Sequence, residues 1–502
     1  MAKSTSRAAR TVRRSAVCAV AVLPVILAGS GSSGASRAVL APNSNVSGVY
    51  AVPAVREQLT TNRRSTVIHD NEVMALTPHA GRLFAATDQW EYPSDSAYGN
   101  ILVKDGPHSR WRLFEKTRSK RVQALDSFTI PADQGLGRGH SLLVTQVIVG
   151  GRSRVQWLLD GAKSFSAHDS FTLSSTDADA RSFGAHESDG TWAVYVGSAP
   201  AGILRGVWSK RTHTLVFAGR AELSAAPGPH GFKTQKVTGF ADCGGALYVS
   251  INTTLYRRND GTLGPRVPRW SPVYQEPPVG PRNSGLRGVT CVRHHGSPTL
   301  LVSTEGTGNV YRLDHLPRDQ VPSTAPLAPG RTVRGVTLTL EFSPIPAIRR
   351  MLEAEGDVIP AAGQGSIRSV IAAYNNFETI TLDGVRRQLF GFEWGYDGCP
   401  SDRICSTAGH DAAACFAIRT DVGRSPGFVL RCLSGKSFRP STVQSNPELN
   451  GQAFVSIRTL KLSPFGDERL YFGGFDCNFQ PANGTAWIGS APVSRVTTTR
   501  SS

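Results

Sequence analysis

Short apolar runs alternate with turns rich in Gly, Pro and Asn along most of the chain. Residues 284–314 show the pattern most plainly. An apolar run at 288–292 is followed by the turn His295-Gly296-Ser297-Pro298, a second run at 299–304, the turn 306–309 and a third run at 310–313. Strand-length runs separated by turn chemistry predict an antiparallel meander. Similar units begin near residues 72, 122, 181 and 237, and again near 369 and 455. Six or seven repeats, each roughly 40–60 residues of four short strands, predict an all-β propeller. The physical reason is burial. One small antiparallel sheet cannot cover both of its faces, whereas sheets stacked radially cover each other and leave only short edges. The rival arrangement is a pair of β-sandwiches divided near Pro322–Gly330; the repeating register argues against it.

Three features interrupt the pattern. Residues 344–356 carry Pro near their start and Gly at their end, which predicts a short helix inserted on the strand framework. Residues 395–415 form a cysteine-rich loop, and 433–452 a polar linker. The last unit is one strand short. The irregular segment 39–66 is therefore expected to supply a ring-closing strand, at 49–52 or just beyond it at Val67-Ile68. The propeller itself is expected over 67–490, with a disordered tail over 491–502.

The N-terminus changes the picture of where the chain works. Lys3, Arg7, Arg10, Arg13 and Arg14 precede an apolar run over 16–28 and then small residues. That run is too short to span a bilayer and predicts a signal peptide over 1–38. No later stretch is apolar enough to cross a membrane, so the expected location is secreted, periplasmic or cell-surface. The formal net charge is +17, of which residues 1–38 account for +6, leaving +11. The basic residues are scattered rather than clustered with aromatics, which argues against nucleic acid as a partner. Eight cysteines include Cys18 in the apolar run; none forms a Cys-x-x-Cys pair. In an oxidising compartment, disulfides are expected. Cys243 and Cys291 end the first strands of successive units and are expected to pair. Cys399 with Cys405, and Cys415 with Cys432, would close local loops, leaving Cys477 over.

In a meander the end of the second strand lies on the same side as the start of the first. That position holds Asp88, Gln146, Asn252, Glu305, Glu393 and Asp476, and the third unit breaks the series with Gly197-Ser198. Radial closure would gather these residues at one channel mouth. Convergent carboxylates and amides suit calcium, or hydrogen bonds to a sugar, or a carboxylic acid for hydrolysis. Trp90 and Trp394 follow acidic positions of the series and suit stacking on sugar faces. The same Asp, Asn and Glu residues equally suit capping of their own turns. Tyr374-Asn375-Asn376-Phe377 reads as a binding loop or a turn.

This ring of oxygens resembles that of the secreted sugar-lactonase and paraoxonase-type propellers, in architecture and without a signature segment. The resemblance implies a calcium ion held by Asp88, Asn252, Glu305 and Asp476, and lactone or ester opening. The string Gly423-Arg424-Ser425-Pro426-Gly427 precedes a strand, not a strand-to-helix elbow, so it lacks the geometry of a serine nucleophile. No nucleophile–base pair stands out. The expectation is therefore a binding module for an extracellular small molecule, glycan or peptide, with Asp88, Trp90, Asn252, Glu305, Glu393, Trp394 and Asp476 around its ligand. The alternatives are a calcium-dependent hydrolase or lactonase using the same ring, and a structural surface protein.

Overall fold

The computed structural model describes residues 46–53, 55–57, 72–88, 99–119, 122–149, 152–173, 179–199, 202–224, 236–264, 267–277, 285–322, 325–354, 366–374, 377–382, 384–396, 414–420, 426–434, 455–476 and 486–497. The signal peptide, Val67-Ile68, Trp90, most of the cysteine-rich loop with Cys399 and Cys405, and Cys477 lie outside them.

Seven antiparallel units follow one another among the described residues: 72–116, 125–172, 179–217, 237–275, 285–342, 367–434 and 455–492, here blades 1 to 7. Their first strands pack against neighbouring blades in order around a ring, and the first two strands of blade 7 pack on Glu72–His79 of blade 1. The fold is a seven-bladed β-propeller. Blades 5 and 6 also share a sheet through Glu305–Gly306 pairing with Val370–Ile371.

The short last blade is completed by the N-terminal segment. Val55–Glu57 pairs antiparallel with Ala486–Pro492. The strand expected over 49–52 is present within Val46–Pro53, yet it runs parallel to Gly427–Ser434, the outer strand of blade 6. The chain thus edges blade 6 first and closes blade 7 with its next residues. The helix is Pro344–Ala354, with Ala347 and Ile348 buried against blades 5 and 6. The tail differs from expectation. Val493–Thr497 is helical, because Val493 and Val496 are buried in the core between blades 6 and 7. Among the described residues no helix is long and apolar enough to cross a membrane.

The core lies between the blades. Phe342 of blade 5 stacks on Phe428 of blade 6 at 4.7 Å between ring centres. Tyr471 of blade 7 meets Trp111 of blade 1 edge-on. Close approach near the axis depends on glycines in the second strands. A Cβ on Gly473 would lie 2.6 Å from Val73 Cγ1 of blade 1. On Gly391 it would collide with the backbone of Ile457 in blade 7, and on Gly197 with Val237 in blade 4. The apolar residue that settles over each glycine is followed at once by a bulge. Register shifts fall between Val73 and Ala75, Ala180 and Ser182, Val237 and Gly239, Leu286 and Val289, and Ile457 and Thr459. A bulge re-aims the extra side chain out of the alternating pattern. The extra residues are Met74, Arg181, Thr238, Arg287 and Arg458, with Gly288 sharing the bulge in blade 5.

Cys243 and Cys291 are bonded, stapling the first strands of blades 4 and 5, as their matching positions predict. Cys415 and Cys432 are bonded across neighbouring strands of blade 6.

Candidate functional site

The first strand of blade 6 is interrupted between Ile367–Ala372 and Glu378–Leu382, and both pieces pair with Val385–Tyr396. The interruption begins at Ala373, in the left-handed region at φ 48°, whose carbonyl accepts a hydrogen bond from Gly288 N–H. Tyr374 follows. Two guanidinium groups lie over its ring, one from each neighbouring blade: Arg287 of blade 5 at 4.3 Å from the centroid and Arg458 of blade 7 at 3.8 Å.

Each of these arginines is held by carboxylates. Arg287 pairs with Glu305 at 2.6 Å, and Lys236 approaches the same carboxylate at 3.6 Å. Arg458 pairs with both Glu72 of blade 1 and Glu393 of blade 6. Residues from five blades or their junctions thus form one electrostatic unit at the start of the first strands. Burial works against ionisation of Glu305, and the charges of Arg287 and Lys236 outweigh it, so its pKa lies below the ordinary value. Burial raises Glu393, with Arg458 opposing and Glu72 adding to the rise. Burial also lowers Lys236, to about 8, against the pull of Glu305. Glu276, at the junction of blades 4 and 5, is 2% exposed. Burial first, then the nearby negative charge of Glu305, raises its pKa to about 8. Its Oε2 has no hydrogen-bond partner.

The ring expected from the second-strand ends is therefore partly gathered. Glu305 and Glu393 enter this unit. Asp88 is fully buried and stands opposite Glu72 in the pairing of blade 1. Gln146 instead ties blade 2 to blade 3, donating to Ser153 at 2.7 Å and accepting from Ala180 N–H. Asn252, at φ 50°, ties its turn to neighbouring segments: its Oδ1 accepts from Lys236 N–H at 2.8 Å, just ahead of the first strand of blade 4, and its carbonyl accepts from Leu286 N–H of blade 5. The backbone of Asp476 pairs with Val455, at the matching end of blade 7. Trp394 is 2% exposed and packs in the core between blades 5 and 6 rather than toward a ligand, because it follows Glu393 and alternation turns it to the other side of the strand. The aromatic ring within the charged unit is that of Tyr374.

Among the described residues no group of three or more His, Cys, Asp or Glu side chains is arranged to hold a metal ion. The calcium set loses two of its four members to other partners. The Oδ1 of Asn252 is engaged by Lys236 N–H, and the cations beside Glu305 supply the charge that a calcium ion would bring.

What sequence reasoning overlooked is the basic half of the unit. Arg287 and Arg458 belong to a charge total that looks scattered. The signal is local: an apolar residue, then Arg, then a small residue near the start of a first strand, as in Ala180-Arg181-Ser182, Leu286-Arg287-Gly288 and Ile457-Arg458-Thr459. A cation inside an apolar strand near a small residue marks a bulge.

The arrangement suits polar recognition. Guanidinium groups offer donors in a fixed fork, carboxylates offer acceptors, and the Tyr374 hydroxyl does both. A seven-bladed β-propeller with a buried charge cluster centred on Tyr374 is the class this geometry defines. No family model matches the chain, and no curated protein matches it. Solved structures similar to it include an exo-β-1,3-galactanase from Clostridium thermocellum, 9% identical over 88% of this chain and 96% of that one, with a TM-score of 0.30. An ancestral GH74 enzyme is 11% identical over 87% of this chain and 51% of its own, TM-score 0.42. A sialidase from Trypanosoma rangeli is 12% identical over 88% and 60%, TM-score 0.35. At these scores the likenesses carry no argument about substrate or chemistry, and the lactonase and paraoxonase resemblance gains no support from them. The fold stands on its sheet topology.

Proposed function

We propose that this protein is an exported binding propeller that takes a polar, hydroxyl-rich extracellular ligand such as a glycan at the entrance built around Tyr374. The observation that carries this reading is the convergence of Arg287 and Arg458 on one tyrosine ring, with Glu72, Glu305 and Glu393 behind them. Burying so many charges adds little net stability, since apolar side chains of similar size would serve a purely structural core as well or better. Local violations of that kind mark functional sites. Sugar hydroxyls both donate and accept, which matches interleaved guanidinium and carboxylate groups. Export agrees with the N-terminal apolar segment and with the two disulfides, which belong to an oxidising compartment.

The test is binding of wild-type protein and the Tyr374→Ala variant to an array of soluble oligosaccharides, with hits followed by calorimetry. At least one glycan class should bind saturably and lose about tenfold or more in affinity in the variant, a change of about 1.4 kcal/mol or more. Binding that ignores the substitution, or no binding across the array, counts against the reading.

A second reading, hydrolysis, is favoured by one observation. Glu276 is held protonated near neutral pH while its neighbour Glu305 is held ionised. Two carboxyl groups pushed apart in this way can divide the acid and base roles. Chromogenic aryl glycosides, aryl esters and lactones test it: turnover should be present and should fall with Glu276→Gln. If the wild type turns over none of them, hydrolysis is excluded for those substrates while the binding reading stands.

A further inference from the structure

Blade 3 carries a second candidate site on its outer flank, away from the channel. Its outermost strand, Thr214–Phe217, pairs with Gly206–Ser209 of the third strand and then stops. The chain swings outward at Gly219, in the left-handed region at φ 76°, and returns to the same strand only where Leu223 pairs with Ile203. Between these two points the edge beside Arg205 is left uncovered. The gap opens a cavity of about 420 Å³ lined by Arg205, Val207, Val216, Arg220, Glu222 and Arg269, with Ala218 and Ala221 completing the wall.

Its charge is one-sided in a specific way. Glu222 is the acidic residue of the lining, and it is held from behind. Arg258 donates to both of its oxygens, at 3.0 and 3.1 Å, and Trp270 Nε1 approaches at 3.3 Å. Arg205 Nε stands 3.7 Å from Glu222, a loose ion pair too long for a hydrogen bond, and has no hydrogen-bond partner. Arg269 donates to the carbonyl of Asn259 at 2.9 Å. Among the described residues no carboxylate pairs with Arg220 or Arg269. Three guanidinium groups therefore face one hollow whose carboxylate is already neutralised. Beside them Val216 is 56% exposed, the most exposed large apolar side chain among the described residues.

We propose that this hollow binds a small organic anion, a carboxylate or sulfate carried on a compact apolar body. Guanidinium groups recognise the planar or tetrahedral oxygens of such a head group through paired hydrogen bonds. Val207 and Val216 cover the body. The volume lies in the range that holds a small ligand. The site shares no residue with the channel entrance, so the two stand or fall separately.

The experiment uses the whole mature protein with benzenesulfonate as probe and benzyl alcohol as its uncharged counterpart, read by calorimetry and by thermal shift at low salt. Benzenesulfonate should bind saturably at one site and raise the melting temperature, and benzyl alcohol should do neither. Arg220→Gln removes an exposed cation with no structural bond and should weaken binding about tenfold. Val216→Trp fills the hollow from its exposed wall and should abolish binding. Both variants should melt with the ligand-free wild type. The proposal is overturned if benzenesulfonate does not saturate. It is equally overturned if binding survives both substitutions, since the anion then sits elsewhere on a basic surface.

Discussion

Glu276 shows what a single buried carboxyl does to the whole chain. Its folded pKa is about 8 against an ordinary 4.5. Between those values the folded protein holds a proton that the unfolded chain has released, so stability falls as pH rises through this window. One proton corresponds to a slope of about 1.4 kcal/mol per pH unit. His186 adds a fall of the same sign at higher pH. Burial would depress it, but its hydrogen bonds to Asp242 and Asp260 raise it from 6.5 to about 9. Its stabilising contribution is complete below 6.5 and disappears as pH rises through about 9. Denaturant titrations between pH 5 and 6.5 should therefore isolate Glu276 only as the difference between wild type and Glu276→Gln, because His79, lowered to about 4, and Asp126, raised to about 6, titrate in the same window and do so alike in both proteins. Glu276→Gln should flatten the slope there and leave the loss above pH 6.5, which His186→Gln should remove in turn. An unchanged slope in Glu276→Gln would mean that its carboxyl is not held neutral by the fold.

At the scale of strands, the glycines beneath the bulges decide how closely blades approach the axis. Gly391 lies under Ile457, and Ile457 precedes the Arg458 that reaches Tyr374. Gly391→Ala should push blade 7 outward and destabilise the protein by about 2 kcal/mol or more, as overpacking against backbone does. It should also weaken ligand binding, which an outward-facing Gly384→Ala would leave alone. A normal melting temperature in Gly391→Ala would refute the close approach. This scale also shows why only part of the site was readable beforehand. Strand runs, turn residues, the helix at Pro344 and the Cys243–Cys291 staple are local or repeat with a fixed period. Glu305 and Glu393 follow from the same period. The bulges do not: they break the alternation from which side-chain direction is inferred, and so Arg287 and Arg458 pass for surface charge. The burial of Trp394 has the opposite origin, regular alternation, since one step along Val385–Tyr396 changes the side of the strand. Asn252 was legible as either a cap or a ligand, whereas its side chain joins two segments 16 residues apart by accepting from Lys236 N–H.

The molecule as a whole depends on closing a ring whose ends come from opposite ends of the chain. Val55–Glu57 completes the last blade, while Val46–Pro53 edges the one before it. Removing residues 39–57 from the mature protein should expose the edge of Ala486–Pro492, lower the melting temperature by several degrees or more, and promote association through the open edge. Size-exclusion chromatography and a melting curve report both effects, and an unchanged monomer would show that the N-terminal strands are dispensable. The same closure assembles the charged unit around Tyr374. Glu72 opens blade 1 and Arg458 opens blade 7, and their ion pair crosses the junction where the ring shuts. A double-mutant cycle on Glu72→Gln and Arg458→Gln, read by chemical denaturation, tests this most directly. The ring geometry predicts a coupling energy of about 2 kcal/mol, in the range found for residues sharing one buried charge network. Additive effects, within about 0.5 kcal/mol, would contradict it.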